Sequence, residues 1–171
     1  MDASLSEAGN GQHSLALQDA VVPKQNLLGE IGKGHKIAFN ILNIGRFKLG
    51  AMVTGGAKLT VGVAAEYGNS RTAFGHPITS FGLIKHKIGQ MAILAYVSES
   101  MVYRTAGMID RNLADVGLDD PETALKRIEE YDVECSMLKV WCSEMCDYVV
   151  DETVQIFGGS GFVEDYPAER S

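Results

Sequence analysis

The sequence predicts a mainly α protein: an up-down antiparallel bundle of three long helices, with a short β-strand segment in front. Apolar residues recur every three to four positions over three stretches of about thirty residues, the period of an amphipathic helix. The stretches are joined by short links carrying helix-stop and helix-start residues, and short links make consecutive helices antiparallel neighbours. The chain has 171 residues and is 46% hydrophobic, enough for a single sizeable core.

Residues 1–13 are small and polar and read as a loop or frayed end. Residues 14–22 (SLALQDAVV) alternate briefly and read as a strand that Pro23 ends. NLLG at 26–29 and GKG at 32–34 read as turns. The first helix is predicted over 35–67, with Ile37, Ile41, Ile44, Leu49, Met52, Gly56, Leu59, Val63 and Tyr67 on its stripe and Gly68, Asn69 and Ser70 as its end. Gly45, Gly50, Gly55 and Gly56 lie inside it. Each costs about 1 kcal/mol relative to alanine, which close approach of a helix or a ligand would explain. The second helix is capped by Thr79 or Ser80 and runs to about Leu113 along Phe81, Ile84, Ile88, Met91, Ala95, Val102, Thr105 and Ile109. Asp120 as N-cap and Pro121 at the first helical position start the third. Its stripe of Ile128, Tyr131, Cys135, Leu138, Cys142, Met145 and Val149 leads to a stop at Gly158 and Gly159.

The net charge of −7, from 15 basic and 22 acidic residues, is not that of a nucleic-acid binder. No apolar run reaches the roughly 18 residues of a membrane helix. The N-terminus lacks the basic and apolar regions of a secretory signal. Three cysteines within 135–146 do not form a disulfide framework, so a reducing intracellular compartment is expected.

Cys135, Cys142 and Cys146 lack metal-site spacing and read as buried seam residues. His13, His35, His76 and His86 are scattered. The GKG turn lacks the rest of a phosphate-loop pattern and reads as a plain turn. Met91, Met101 and Met108 read as core fillers, and Glu129, Glu130, Asp151 and Glu152 as solvated faces. Two segments stand out. RTAFGHPITSF at 71–81 sets a guanidinium, a planar fork suited to phosphate, beside an aromatic and a turn glycine. QIFGGSGF at 155–162 has three glycines in four residues after a helix, where backbone can come close to a ligand.

These two segments, in this order, resemble the acyl-CoA dehydrogenase family. Residues 71–81 are similar to its R-x-x-F-G-x-P-I-x-x-F stretch, and residues 155–162 to its Q-I-x-G-G-x-G-F signature, followed by YPAER at 166–170. VP at 22–23, NLLG and GKG resemble the exit from that family's middle β-domain. ILNIGR at 41–46 resembles the start of its C-terminal helical domain. NIGR at 43–46 and FGLI at 81–84 lean toward the long-chain and very-long-chain branch. The resemblance spans residues 14–171.

The resemblance implies an FAD enzyme that oxidises acyl-CoA to trans-2-enoyl-CoA in fatty acid β-oxidation, a carboxylate taking the α-proton. Arg71 would contact the FAD pyrophosphate with Thr72 and Ala73 beside it. Phe74, Phe81 and Gly82 would line the adenosine half. Gln155, Gly158 and Gly159 would approach the FAD of a neighbouring subunit, and Asn43, Ile44, Gly45 and Arg46 would face the acyl-CoA. Many relatives carry Gln at the positions of Ala73 and Gly82, so two amide groups are missing here. The implied partners are the acyl-CoA substrate and electron-transferring flavoprotein or a similar acceptor. The implied assembly is a homodimer or homotetramer, in the bacterial cytoplasm or the mitochondrial matrix.

In most relatives the catalytic glutamate falls beyond the position of Ser171. In a minority branch it stands where this chain has Gly45, which carries no proton acceptor. The expectation is therefore a fragment without its own base: residues 1–34 the tail of the middle β-domain and linker, residues 35–171 an incomplete C-terminal bundle. An alternative function is non-catalytic, a helical module that self-associates or docks a partner. An acyl-CoA oxidase is a third reading within the same fold.

Overall fold

The computed structural model describes residues 16–117 and 120–170. The chain divides into two compact units, Met1–Gly34 and His35–Ser171. In the first, the described residues are exposed. They contain a 3-10 turn at Lys24–Asn26, and Gly29 and Gly32 turn at φ 73° and 83°. The expected strand over 14–22 is absent from its described part, residues 16–22. A strand needs a neighbour for its backbone N–H and C=O groups, and among the described residues this unit has none. His13 lies outside the described residues.

The second unit is built from α1 (Gly34–Ser70), a hairpin of β1 (Thr72–Ala73) and β2 (His76–Pro77), α2 (Gly82–Leu113), α3 (Pro121–Glu129) and α4 (Asp132–Phe157). Side-chain bonds give the directions. Lys87 pairs with Glu152, Trp141 Nε1 donates to Ser98 Oγ at 2.9 Å, and Tyr131 Oη donates to the Met108 carbonyl, so α2 and α4 are antiparallel. Bonds between α1 and the α3–α4 stretch keep a sequence offset of 89–90 residues from Asn40 to Tyr67, so α1 and α4 run parallel. The three long helices therefore go up, down and up, as the short links predict.

The core holds Met91 from α2, Met145, Val149 and Ile156 from α4, and Ala57 and Ala64 from α1. The predicted stripes of α2 and α4 match it; that of α1 does not. The residues α1 buries are Asn40, Asn43, Gly50, Thr54, Ala57, Ala64 and Gly68, whereas Ile41, Met52 and Leu59 are exposed. The helix packs through its small residues, and the period was read on its large ones. Of its glycines, Gly45, Gly55 and Gly56 have no neighbour where a Cβ would lie. A Cβ on Gly50 would sit 3.4 Å from the Leu138 Cβ. Gly68 is a buried helical residue rather than a cap, because α1 continues to Ser70. A Cβ there would sit 2.8 Å from the Thr79 methyl.

The third predicted helix is two helices. Asp120 Oδ1 accepts from Thr123 N–H at 3.1 Å and caps α3, as expected. The chain then breaks at Glu130 and Tyr131, where Tyr131 N–H donates to the Ile128 carbonyl. The break lets α3 lie against the end of α2: Asn112 Nδ2 donates to the Arg127 carbonyl and to Glu130, and Arg127 forks onto Asp115. Thr79 and Ser80 do not cap α2. They form a 3-10 turn, and Phe81 precedes the helix without a side-chain cap. Cys135 and Cys142 are buried as expected and Cys146 is half-buried; burial pushes the thiols of Cys135 and Cys146 up.

The α2–α3 corner depends on two carboxylates. The bond from Arg127 holds the Asp115 carboxyl below its ordinary value of 3.8, and the bond from Thr123 does the same for Asp120. Depressed values in the folded state stabilise it above pH 3.8, and that contribution is lost as the pH falls further through the folded values. Amide exchange in α3 should therefore quicken below pH 3.8 relative to the middle of α4. Equal acid sensitivity of the two helices would refute this.

Candidate functional site at one end of the bundle

The ends of α1 and α4 coincide. The Tyr67 ring stacks on Phe157 with centroids 3.8 Å apart and planes 13° apart, and Tyr67 Oη donates to the Phe157 carbonyl at 3.3 Å. Both singled-out segments leave from this corner. In the first, Thr72 faces Pro77 and Ala73 faces His76 across a two-residue hairpin. Its turn residues, Phe74 and Gly75, have φ 53° and 82°, as a turn matching the strand twist requires. Glycine takes such a φ freely; for phenylalanine it is strained. The Phe74 side chain is 93% exposed and meets the Phe81 ring edge-on at 6.2 Å. The hairpin itself was not legible, because Phe is not a usual residue at that turn position.

Arg71 sits at the base of the hairpin. Its N–H donates to the Tyr67 carbonyl and its carbonyl accepts from Ile78. Its side chain is exposed, and among the described residues its guanidinium has no hydrogen bond or ion pair. It does not cap the first helix, so the cation is free for a ligand.

The second segment ends α4 at Gly158, φ 59° and ψ −134°, and continues as a 3-10 turn, Gly158–Phe162. Gly158 and Gly159 are exposed and open where a Cβ would lie, as is Gly82; Gln155 is exposed beside them. Gly161 is different: a Cβ there would sit 2.7 Å from the Val154 carbonyl, so this glycine lets the turn fold back on α4.

The remaining predicted residues lie elsewhere. Asn43 and Arg46 line a cleft of about 370 Å³ near the start of α1, with Lys36, Phe39, Asn40, Glu129 and Asp132. Asn43 Nδ2 donates to Asp132, and Arg46 Nη1 donates to Asn43 Oδ1 at 3.0 Å and to Ser136 Oγ at 3.3 Å. Ile44 is half-buried and Gly45 is exposed beside open space; neither lines the cleft. Arg46 and Ser70 are 24 residues apart on one helix, about 36 Å at 1.5 Å per residue. The structure thus does not bring the two groups of residues together within one chain.

Glu129, Glu130 and Asp151 are exposed as the solvated-face reading expects, though Glu129 accepts from Asn40 at 2.8 Å and Glu130 accepts from Asn112; Glu152 departs from it, half-buried against Lys87. Asn40, Glu129 and Asp132 were missed as cleft residues. Their signal, an asparagine pair three apart on α1 facing a carboxylate pair three apart across the α3–α4 break, is visible only once α1 is known to run parallel to that stretch. Among the described residues no group of three or more His, Cys, Asp or Glu is placed to hold a metal ion, and no helix is long and apolar enough to cross a membrane.

The chain is similar to a probable acyl-CoA dehydrogenase of Bacillus subtilis, 49% identical over 166 residues, or 95% of this chain and 28% of that protein. It is 39% identical over 149 residues to the mitochondrial very long-chain specific acyl-CoA dehydrogenase of Mus musculus, covering 87% of this chain and 20% of that protein. A solved acyl-CoA dehydrogenase complexed with FAD from Bacillus anthracis superposes with a TM-score of 0.86 at 51% identity, over 90% of this chain and 27% of that one. The chain thus spans less than a third of the length of these relatives. The family model for the acyl-CoA dehydrogenase C-terminal domain matches residues 32–171, and on that match, with the shared fold, the chain belongs to the acyl-CoA dehydrogenase C-terminal domain family.

Proposed function

We propose that this chain is a cofactor- and substrate-binding helical domain of an FAD-dependent acyl-CoA dehydrogenase, serving the oxidation of acyl-CoA to trans-2-enoyl-CoA. The observation that carries the reading is the exposed Arg71 guanidinium, without a partner among the described residues, at the base of a strained hairpin, on the corner from which the open glycine turn also leaves. The residues fit the cofactor. Arg71 is a fixed-charge fork for a diphosphate. Phe74 and Phe81 offer ring surface to the adenosine half, with Thr72, Ala73 and Gly82 beside them. Gly158 and Gly159, with Gln155, let a nucleotide approach main chain. When bound, FAD supplies the redox chemistry, accepting the hydride from the β-carbon of the thioester.

Asn43 and Arg46 would meet the acyl-CoA in the polar cleft, where Asp132 holds the Asn43 amide and leaves its oxygen to Arg46. The roughly 36 Å between cleft and corner supports a site assembled from two copies of the chain, one offering the cleft and the other the corner. Exposed Ile93, Tyr96, Met137 and Val140 on α2 and α4 support such self-association. They equally favour the second reading, a docking module without cofactor. Electron-transferring flavoprotein or a similar acceptor would take the electrons. The Bacillus relative supports a bacterial cytoplasmic setting over a mitochondrial matrix.

Flavin content separates the readings. Native mass spectrometry of the full-length protein should show FAD at one per chain, and that protein, unlike residues 1–171 alone, should reduce an artificial acceptor when acyl-CoA is added. A flavin-free protein that gains none from added FAD would leave the docking module.

A further inference from the structure

We propose that Tyr67 is a positioning residue that sets the glycine turn after α4 for the cofactor and ties it to Arg71. This rests on the cofactor reading above. The last carbonyls of a helix have no partner within it. The Gly158 N–H satisfies those of Val154 and Gln155. The Phe157 carbonyl, one bond from Gly158, is taken by Tyr67 Oη at 3.3 Å, from a different helix. The ring under that hydroxyl stacks on Phe157, and Tyr166, on the returning chain, meets both rings edge-on at 6.1 Å. The turn is thus gripped on two sides: Gly161 folds against the Val154 carbonyl, and Tyr67 fixes the peptide from which the turn starts.

The same residue anchors the other segment. The Tyr67 main-chain carbonyl accepts from Arg71 N–H at 2.8 Å and from Ser70 Oγ at 3.0 Å. One side-chain bond and one main-chain bond, on a single residue, therefore lock the arginine and the glycines into one relative geometry. A ring alone would serve packing, and phenylalanine would supply it. The hydroxyl is needed only if the direction of the Phe157 peptide matters, and that direction decides where Gly158 and Gly159 present their N–H groups.

The test is Tyr67→Phe in the full-length protein. It keeps the stack and removes the bond, so the fold is retained. Two readouts are taken: FAD affinity by titration of the apoprotein, and hydrogen exchange of the amides across Gly158–Phe162. Loss of one such bond should weaken FAD by about two- to tenfold. It should also speed exchange in the turn by a similar factor, while the middle of α1 and α4 exchanges as in the wild type. General destabilisation would instead speed exchange along both helices. The wild-type value in either readout, or faster exchange throughout, overturns the role of Tyr67. Wild-type protein that takes up no FAD defeats the cofactor reading itself, a result distinct from a wild-type protein and variant that bind FAD alike.

Discussion

Replacing Arg71 with alanine should weaken FAD binding by about ten- to a hundredfold, the range for removing a hydrogen bond to a charged partner. Nothing else is expected to change. The side chain is exposed and its guanidinium has no partner among the described residues, so its loss breaks no contact in the bundle. Unfolding of the apoprotein should stay within about 0.5 kcal/mol of the wild type. Arg71→Lys separates charge from geometry. A lysine keeps the cation and loses the planar fork, so it should recover part of the affinity. Flavin occupancy equal to the wild type in Arg71→Ala would remove Arg71 from the cofactor site.

Met91→Ala should cost about 2–5 kcal/mol of unfolding free energy, the range for truncating a fully buried methionine. Met91 has 0% exposure and belongs to a core cluster that draws on α1, α2 and α4. Its buried α1 neighbours in that cluster are Ala57 and Ala64, too short to fill the space, while Val61 and Tyr67 of α1 are only partly buried at its margin. Relaxation is therefore limited, and the loss should fall in the upper half of the range. Met91→Leu, which roughly conserves volume, should cost less than about 1.5 kcal/mol. Chemical denaturation of both variants checks this, and a loss below about 1 kcal/mol for the alanine would show that the core closes over the gap.

The helices of this bundle were legible because α2 and α4 bury large apolar residues at helical spacing. Met91, Ala95, Thr105 and Ile109 on one, and Cys135, Leu138, Cys142, Met145 and Val149 on the other, are buried as their periods require. The face of α1 was misread for the converse reason. A helix that packs through Gly50, Thr54, Ala57 and Ala64 carries its large residues elsewhere, and periodicity follows size. The break at Glu130 and Tyr131 was hidden because an apolar stripe continues across it. Only the bonds between α3 and the end of α2 reveal it.

The two cofactor segments could be picked out in one dimension, since a guanidinium beside a turn glycine and three glycines after a helix are local patterns. Their closeness could not. The stacked rings of Tyr67 and Phe157 join residues 90 positions apart, and no local pattern specifies that pairing. The composition and period of the sequence determined three long helices and their antiparallel order, because each helix must bury its own stripe and short links leave one way to do so. Only the tertiary structure decided which face of α1 turns inward, that Phe74 sits strained in an exposed hairpin, and that the cleft of Asn43 and Arg46 lies at the opposite end from Arg71. Those follow from how parallel α1 and α4 settle against each other, through small residues whose close approach depends on the partner helix.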